Sequence, residues 1–344
     1  MPDTYISQFS GEEIDSALRA AQMISGASTP AELREKLEIR GDTIPVSAGD
    51  STLISEALTK IPTTSGGGVN PNLLDNWYFG RPVNQRGQTE YTGNATYAID
   101  RWWTQYETTL SIVDGGIKIG GKWDVQQYFE TTLPNATYTL SLLYKDKTGS
   151  DPLRLIAGNR TDGDLAQTES KDASGILSVT FSTAKSNKVN FGFTGSTDNS
   201  ATIIAIKLEL GSTQTLAHQD SSGNWILNEI PDFGEQLARC QRYYRRWTGA
   251  DNKPLGVAVR RESKLLELVF SLDTAMRVAP SLTFNGSFVC VPTFTRCSVT
   301  SIDVATPDTV AIFLKPNDDV TFDLDAYQIN IAHANEYIAL SADL

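Results

Sequence analysis

The chain has 344 residues, 40% hydrophobic and 20% charged, with a formal net charge of −12 at pH 7. That composition describes a folding chain rather than a disordered one, and its acidity argues against nucleic acid, which needs a basic face. No apolar run reaches the roughly 20 residues of a membrane span, so no membrane insertion is expected. The opening Met1-Pro-Asp-Thr-Tyr5 also lacks the basic and apolar regions of a signal peptide.

Residues 1–62 read as helical. Ser10-Gly-Glu-Glu13 fits a capping box, and Ile14, Leu18 and Ala21 then share one helical face. A second start lies at Ser28-Thr29-Pro30 with Leu33 and Leu37 as its stripe, and a third helix spans Thr52 to Ile61. Helices this short are marginal alone, so they bury their stripes either against copies of themselves or as a small three-helix subdomain. Residues 63–71, with Gly66-Gly-Gly68, form a flexible linker.

From 72 to 215 the pattern changes to short alternating segments divided by Gly, Asn and Asp turns. Thr137-Tyr-Thr-Leu-Ser-Leu-Leu-Tyr144 is typical, with the period of two expected of half-buried antiparallel strands. Strands in this number without a helical pattern predict a β-sandwich or jelly roll, and the whole chain a mainly β protein. Residues 216–230 read as a connector.

The last segment, 231–344, opens on one amphipathic helix through Leu237, Gln241 and Tyr244, ending near Trp247-Thr-Gly249. Strands are predicted at Leu255–Val259, Leu265–Leu272, Ser281–Phe284, Val299–Val304, Val310–Leu314 and Tyr327–Ala332, with a final strand inside 336–344. This segment could be a second sandwich.

The densest aromatic set is Trp102, Trp103 and Trp123 with Tyr97, Tyr106 and Tyr128. Aromatic faces suit sugars, whose apolar side stacks on a ring while polar groups fix the hydroxyls. On a strand Trp102 and Trp103 point to opposite faces, so one belongs to the core and the other to a surface or interface. Arg239, Arg242, Arg245 and Arg246, with Tyr243 and Tyr244, are expected on one helix. They make either a basic surface for anionic glycans or ion pairs to a neighbouring subunit.

Asp319, Asp323 and Asp325 are oxygen donors that could hold calcium, but without the glycine and ligand ladder of an EF-hand they read equally as a solvated acidic rim. No cofactor is expected beyond a structural calcium that the sequence leaves unplaced. The two histidines, His218 and His333, offer little for zinc or histidine-based catalysis. Carboxylate pairs such as Asp162 with Asp164 and Glu229 with Asp232 lack a supporting constellation, so no enzyme is expected. Cys240, Cys290 and Cys297 read as reduced, packed thiols, with a Cys290–Cys297 bridge as the alternative.

Several motifs carry a family resemblance. Asn72-Leu-Leu-Asp-Asn-Trp-Tyr-Phe79, Pro82-Val-Asn-Gln-Arg-Gly87, Ile99-Asp-Arg-Trp-Trp103 and the closing Ile206-Lys-Leu-Glu-Leu-Gly211 with Leu216-Ala resemble the sugar-binding-module-like jelly roll of phage and prophage tail proteins. Arg239-Cys-Gln-Arg-Tyr-Tyr244 and Tyr337-Ile-Ala-Leu-Ser-Ala-Asp-Leu344 are similar to the C-terminal domain of such fibres, and Phe9 to Leu18 to their first helices. The resemblance implies a homotrimeric tail fibre or receptor-binding protein at the virion tail tip, or on a related contractile particle. Residues 1–62 would then attach to a baseplate or fibre-attachment protein, and 231–344 would be the tip that meets host cell-surface polysaccharide. A glycan-cleaving depolymerase and a baseplate spacer without receptor binding are the competing readings.

Overall fold

The computed structural model describes residues 70–344, apart from 94, 183–184 and 250–252. The expected N-terminal helices, their capping box and the glycine linker lie outside the described residues. From Pro71 to Leu344 the chain forms one unit.

Two six-stranded antiparallel sheets make the first half. The first sheet runs β1 (Glu90–Thr92), β4 (Thr109–Val113), β5 (Gly116–Gly120), β12 (Ser200–Leu210), β7 (Thr137–Thr148) and β10 (Gly175–Ser182). The second runs β2 (Thr96–Tyr97), β3 (Trp103–Thr104), β6 (Trp123–Tyr128), β11 (Lys188–Phe193), β8 (Leu153–Asn159) and β9 (Gly163–Ser170). Alternation sends Leu140 and Leu142 of β7, Ile206 and Leu208 of β12, and Val125 and Phe191 of the second sheet into one shared core. The predicted β-sandwich is therefore present.

The segment before β1 has no strand, yet it ties the sandwich together. Asn72 Nδ2 donates to the Ile206 carbonyl, and its Oδ1 accepts from the Leu208 amide. Asn76 Nδ2 donates to the carbonyls of Val83 and Asp100, and its Oδ1 accepts from the Val83 amide.

Residues 216–230 are more than a connector. They form a hairpin of β13 (Ala217–Gln219) and β14 (Trp225–Leu227), with Leu216 and Ala217 inside the sandwich core. Beneath it lies fully buried Lys207, whose Nζ donates to Thr215 Oγ1 and Glu229 Oε1, both at 2.9 Å.

The helix α1 is shorter than predicted, Phe233–Gln241, capped by Asp232, and it buries Gln236 and Cys240 rather than Leu237 and Gln241. The stripe Leu237, Gln241, Tyr244 fits a helix, but Tyr244–Thr248 becomes strand β15 because it pairs along its length with β23 (Tyr337–Ser341). Arg245 and Arg246 therefore sit on a strand and not with Arg239 and Arg242. With β18 (Ser281–Asn285), β15 and β23 form a three-stranded sheet.

The remaining strands do not build a second sandwich. β16 (Lys253–Glu262), β17 (Leu265–Ser271), β21 (Thr309–Pro316), β20 (Thr295–Ala305), β19 (Phe288–Val291) and β22 (Ala326–Ile331) close into a barrel around Leu268, Phe288, Ile312 and Ile329. Closure pairs both edges of the sheet, which removes exposed strand edges. β19 was not expected from sequence. It places Cys290 beside β20, and a disulfide joins Cys290 to Cys297, correcting the reduced-thiol expectation; Cys240 is free and buried.

Asp100 lies where the two halves meet, fully buried, with Oδ2 accepting from the Gln85 amide at 2.6 Å and Oδ1 without a partner. Burial pushes its carboxyl up to about 7, against the pull of the Gln85 amide and Arg86. The native state therefore binds this proton more tightly than the unfolded chain, whose value is 3.8. The stabilisation is complete below the unfolded value and is lost as pH rises through about 7. The expected loss is on the order of 4 kcal/mol across that window. Asp100→Asn should flatten this slope in urea titrations run at successive pH values. A variant that keeps the wild-type slope would show that Asp100 is not its source.

Candidate functional site

The strand register of the second sheet defines a face that is not the core. Thr104, Val125, Phe191 and Leu155 lie in one cross-strand row turned inward. The neighbouring row turns outward and runs Trp103, Gln126, Asn190, Ile156 and Gln167 across five strands. Beside it on one side lie Asp124, Gly192, Arg154 and Glu169, and on the other Tyr128, Lys188 and Gly158.

This outer face is polar and ordered. Gln126 and Asn190 are only 3% and 2% exposed although no core covers them. Gln126 Nε2 donates to Asp124 Oδ1 at 2.7 Å and to Gln105 Oε1 at 3.0 Å, while its Oε1 accepts from the Tyr128 hydroxyl at 2.6 Å. Asn190 Nδ2 donates to Asp124 Oδ2, and Asn190 Oδ1 is left without a partner. Burial pushes the Asp124 carboxyl up, while the hydrogen bonds from Gln126 and Asn190 pull it back. The two amides are nearly closed to solvent, so what they do is hold the partly exposed Asp124 and Tyr128 in place beside Trp103, and it is these groups that a hydroxyl-bearing ligand could meet.

Aromatic groups stand at both ends of β6. At its end, Trp103 meets Tyr128 edge-on with ring centroids 6.2 Å apart, and the Arg160 guanidinium lies 4.7 Å over the Tyr128 ring. At its start, Trp123 and Tyr106 pair at 5.8 Å, 41% and 59% exposed. Five residue steps at about 3.3 Å each, roughly 17 Å, separate the two groups along the strand. The odd number gives Trp123 the parity of inward Val125 and pairs it with core Phe193, so the exposed Trp123–Tyr106 pair stands at the rim of the sheet and not on the outer face itself.

Tyr106 is presented by a tight turn. Thr108 N donates to the Gln105 carbonyl, Gln105 N donates to the Asp124 carbonyl, and Thr108 Oγ1 bonds the Lys122 carbonyl. The turn presses against two glycines: a Cβ on Gly93 would lie 2.5 Å from the Tyr106 carbonyl oxygen, and one on Gly121 2.0 Å from that of Glu107. Only glycine allows this approach, and Gly121 also has φ +85.

The residues singled out in the sequence divide into three groups. Trp103, Trp123, Tyr106 and Tyr128 belong to this face or its edge. Trp102 is fully buried, packed edge-on and tilted against Phe79 and Phe191 with Nε1 donating to the Asn76 carbonyl, so it cannot present a face to a ligand. Tyr97, Arg242 and Tyr243 belong to the junction between the halves. The Tyr97 hydroxyl donates to the Leu344 carbonyl, and Glu130 accepts from both Arg242 and the Tyr243 hydroxyl. The arginines thus pair within the chain, Arg239 with Asp75 and Arg245 with Asp273.

Asp319, Asp323 and Asp325 do not converge: they meet Lys264, the Tyr327 hydroxyl and Arg260 respectively, and lie between β21 and β22 rather than on a strand. No group of metal-ligating side chains occurs among the described residues. Asp124, Gln126, Asn190 and Arg154 escaped the sequence reading, although the polar positions 124, 126 and 128 around Val125 carry the signal of a strand with a polar outer face.

No family model matches the chain, and no curated protein matches it. Solved structures similar to it include the carbohydrate-binding module TmCBM61 in complex with beta-1,4-galactotriose, at 13% identity, covering 41% of this chain and 99% of that one with a TM-score of 0.25. The tandem CBM22 modules of Xyn10C from Paenibacillus barcinonensis match at 9% identity over 79% of this chain and 98% of theirs, TM-score 0.26. Discoidin II of Dictyostelium discoideum matches at 9% identity over 68% and 81%, TM-score 0.16. Likeness at this level does not decide what this chain binds.

Gly121→Ala should displace the 105–108 turn and with it Tyr106. A loss above about 1 kcal/mol is expected in guanidinium unfolding, because alanine is strained at this φ and its Cβ meets backbone. Unchanged stability would mean that the turn is not pressed against Gly121 as described.

Proposed function

We propose that the outer face of the second sheet binds a carbohydrate chain without cleaving it. The observation that carries this reading is the hydrogen-bonded set Asp124, Gln126 and Asn190 in adjacent rows of that face, beside the Trp103–Tyr128 group and with the exposed Trp123–Tyr106 pair at the rim. Polar groups already ordered on rigid strands lose little entropy on binding, and one aromatic group on the face with a second at its rim suits a glycan chain. From sequence the choice between the two β parts is close, with position at the tip favouring residues 231–344; on the present reading the role lies with the sandwich.

On this reading the chain is a receptor-binding tail-fibre protein of a phage or contractile particle, attaching it to host cell-surface polysaccharide. The tail-fibre part rests on the resemblance of Asn72–Phe79, Pro82–Gly87 and Tyr337–Leu344. Residues 1–62 would be held by the baseplate or a fibre-attachment protein, and the assembly would be a homotrimer at the virion tail tip. One structural feature supports association with further copies. Val257 and Val269, on neighbouring barrel strands, are 62% and 50% exposed; in the same cross-strand row Ala311 is buried and Val304 beyond it is 42% exposed. Exposed aliphatic stripes of this kind mark surfaces that another protein covers.

In pull-downs and titrations against host envelope polysaccharides, Trp103→Ala should weaken binding by about tenfold or more, as truncation of a central contact does, and Gln126→Ala should weaken it by releasing Asp124 and Tyr128. Reducing ends should not accumulate. Undiminished binding in both variants would remove the face from the account, and steady release of reducing ends would make the protein a depolymerase.

Light scattering of the full chain should give three times 37.6 kDa. If the barrel stripe is the seam, Val257→Asp with Val269→Asp should lower that mass. A monomer at micromolar concentration would refute the trimer.

A further inference from the structure

A cavity of about 550 Å³ lies between the sandwich and α1. It shares no residue with the outer face of the second sheet. Its size is in the range of small-molecule sites, about 300–1,000 Å³. One wall is apolar and accessible: Leu73 and Leu210 are 37% and 47% exposed, with Phe129, Leu133 and Pro134 beside them.

The opposite wall is cationic. Arg101, Arg239 and Arg242 line it with only Asp75 and Glu130 as counter-charges, which leaves one positive charge in excess. That surplus occurs in a chain whose net charge is −12.

The arginines are held in place rather than free. Arg101 is 2% exposed. Its Nε donates to Asp75 at 3.0 Å, its Nη2 donates to the Tyr128 carbonyl at 2.7 Å, and its guanidinium lies 3.5 Å over the Tyr243 ring. Its Nη1 has no partner. Asp75 is shared with Arg239 at 2.7 Å, and Glu130 is shared between Arg242 at 3.0 Å and the Tyr243 hydroxyl at 2.6 Å. Both carboxylates are thus each divided between two donors. The set of donors exceeds the set of acceptors, in a concave space with an apolar side.

We propose that this cleft binds a carboxylate carried on a ring with an apolar face. The ring would lie against Leu73, Phe129 and Leu210, and the carboxylate would meet the arginine wall, where Arg242 is the most accessible guanidinium. Guanidinium groups favour carboxylates through paired, charge-assisted hydrogen bonds. Two sources supply this chemistry, an acidic sugar and a free alicyclic acid. The cleft stands apart from the glycan face, so it does not depend on the function proposed above.

Ligand-observed NMR titration of the full chain tests it, with glucuronate and cyclohexanecarboxylate as probes and glucose and cyclohexanemethanol as their neutral counterparts. At least one carboxylate should bind saturably, its neutral counterpart should not, and Arg242→Met should weaken binding about tenfold, the loss expected for a charged hydrogen bond. Arg242 is at the surface, so this variant should fold; Arg239→Met is the second probe of the same wall. Trp103→Ala should leave the titration unchanged. A preference for glucuronate assigns an acidic sugar, and a preference for cyclohexanecarboxylate a free acid. The proposal is overturned if neither carboxylate saturates, if the neutral counterparts bind as well, if both arginine variants bind as the parent does, or if Trp103→Ala abolishes binding.

Discussion

The side chain of Asn76 satisfies three backbone groups at once, and the described structure depends on it. It bonds the Val83 amide and carbonyl and the Asp100 carbonyl, all buried. Its own backbone is used as well: the amide donates to Gln236 Oε1 of α1, and the carbonyl accepts from Trp102 Nε1. One residue therefore joins the loop ahead of β1, the indole at the centre of the sandwich core, and the helix that begins the second half. Buried polar groups cost free energy when left unpaired, so this set favours one arrangement of the two halves over all others.

That joint places both candidate sites. Asp75, the neighbour of Asn76, bridges Arg101 of the sandwich and Arg239 of α1, so the cleft exists only when the halves are docked. Trp103 follows Trp102 directly, and anchoring Trp102 in the core obliges Trp103 to face the other way, onto the outer surface. The outer face thus inherits its rigidity from the core behind it. Strands hold a binding array more firmly than loops do, and here the amides and the carboxylate of the array also hold each other.

Much of this was legible in the sequence for a physical reason. The alternation in Thr137–Tyr144 reports the strand and its core face, although the intervening Thr139 and Ser141 are buried as well and not solvated as half-burial predicts; the adjacent Trp102 and Trp103 separate to opposite sides as expected. The barrel strands other than β19 were visible in the same way. Other features depend on partners far along the chain. Tyr244–Thr248 carries a helical stripe and is a strand only because Tyr337–Ser341 pairs with it. Cys290 and Cys297 become neighbours only once β19 turns back into β20. Asp124, Gln126 and Asn190 look like ordinary solvated strand positions until the register aligns them in adjacent rows beside two aromatic groups.

If the outer face of the second sheet, and not the barrel, is the proposed glycan site, a glycan should shield that face alone. Hydrogen–deuterium exchange of the full chain with and without host envelope polysaccharide tests this most directly. Slowed exchange is expected in β3, β6 and β11 and in the 105–108 turn, with the barrel strands β16 to β22 unchanged. Protection confined to the barrel or to its loops would contradict it.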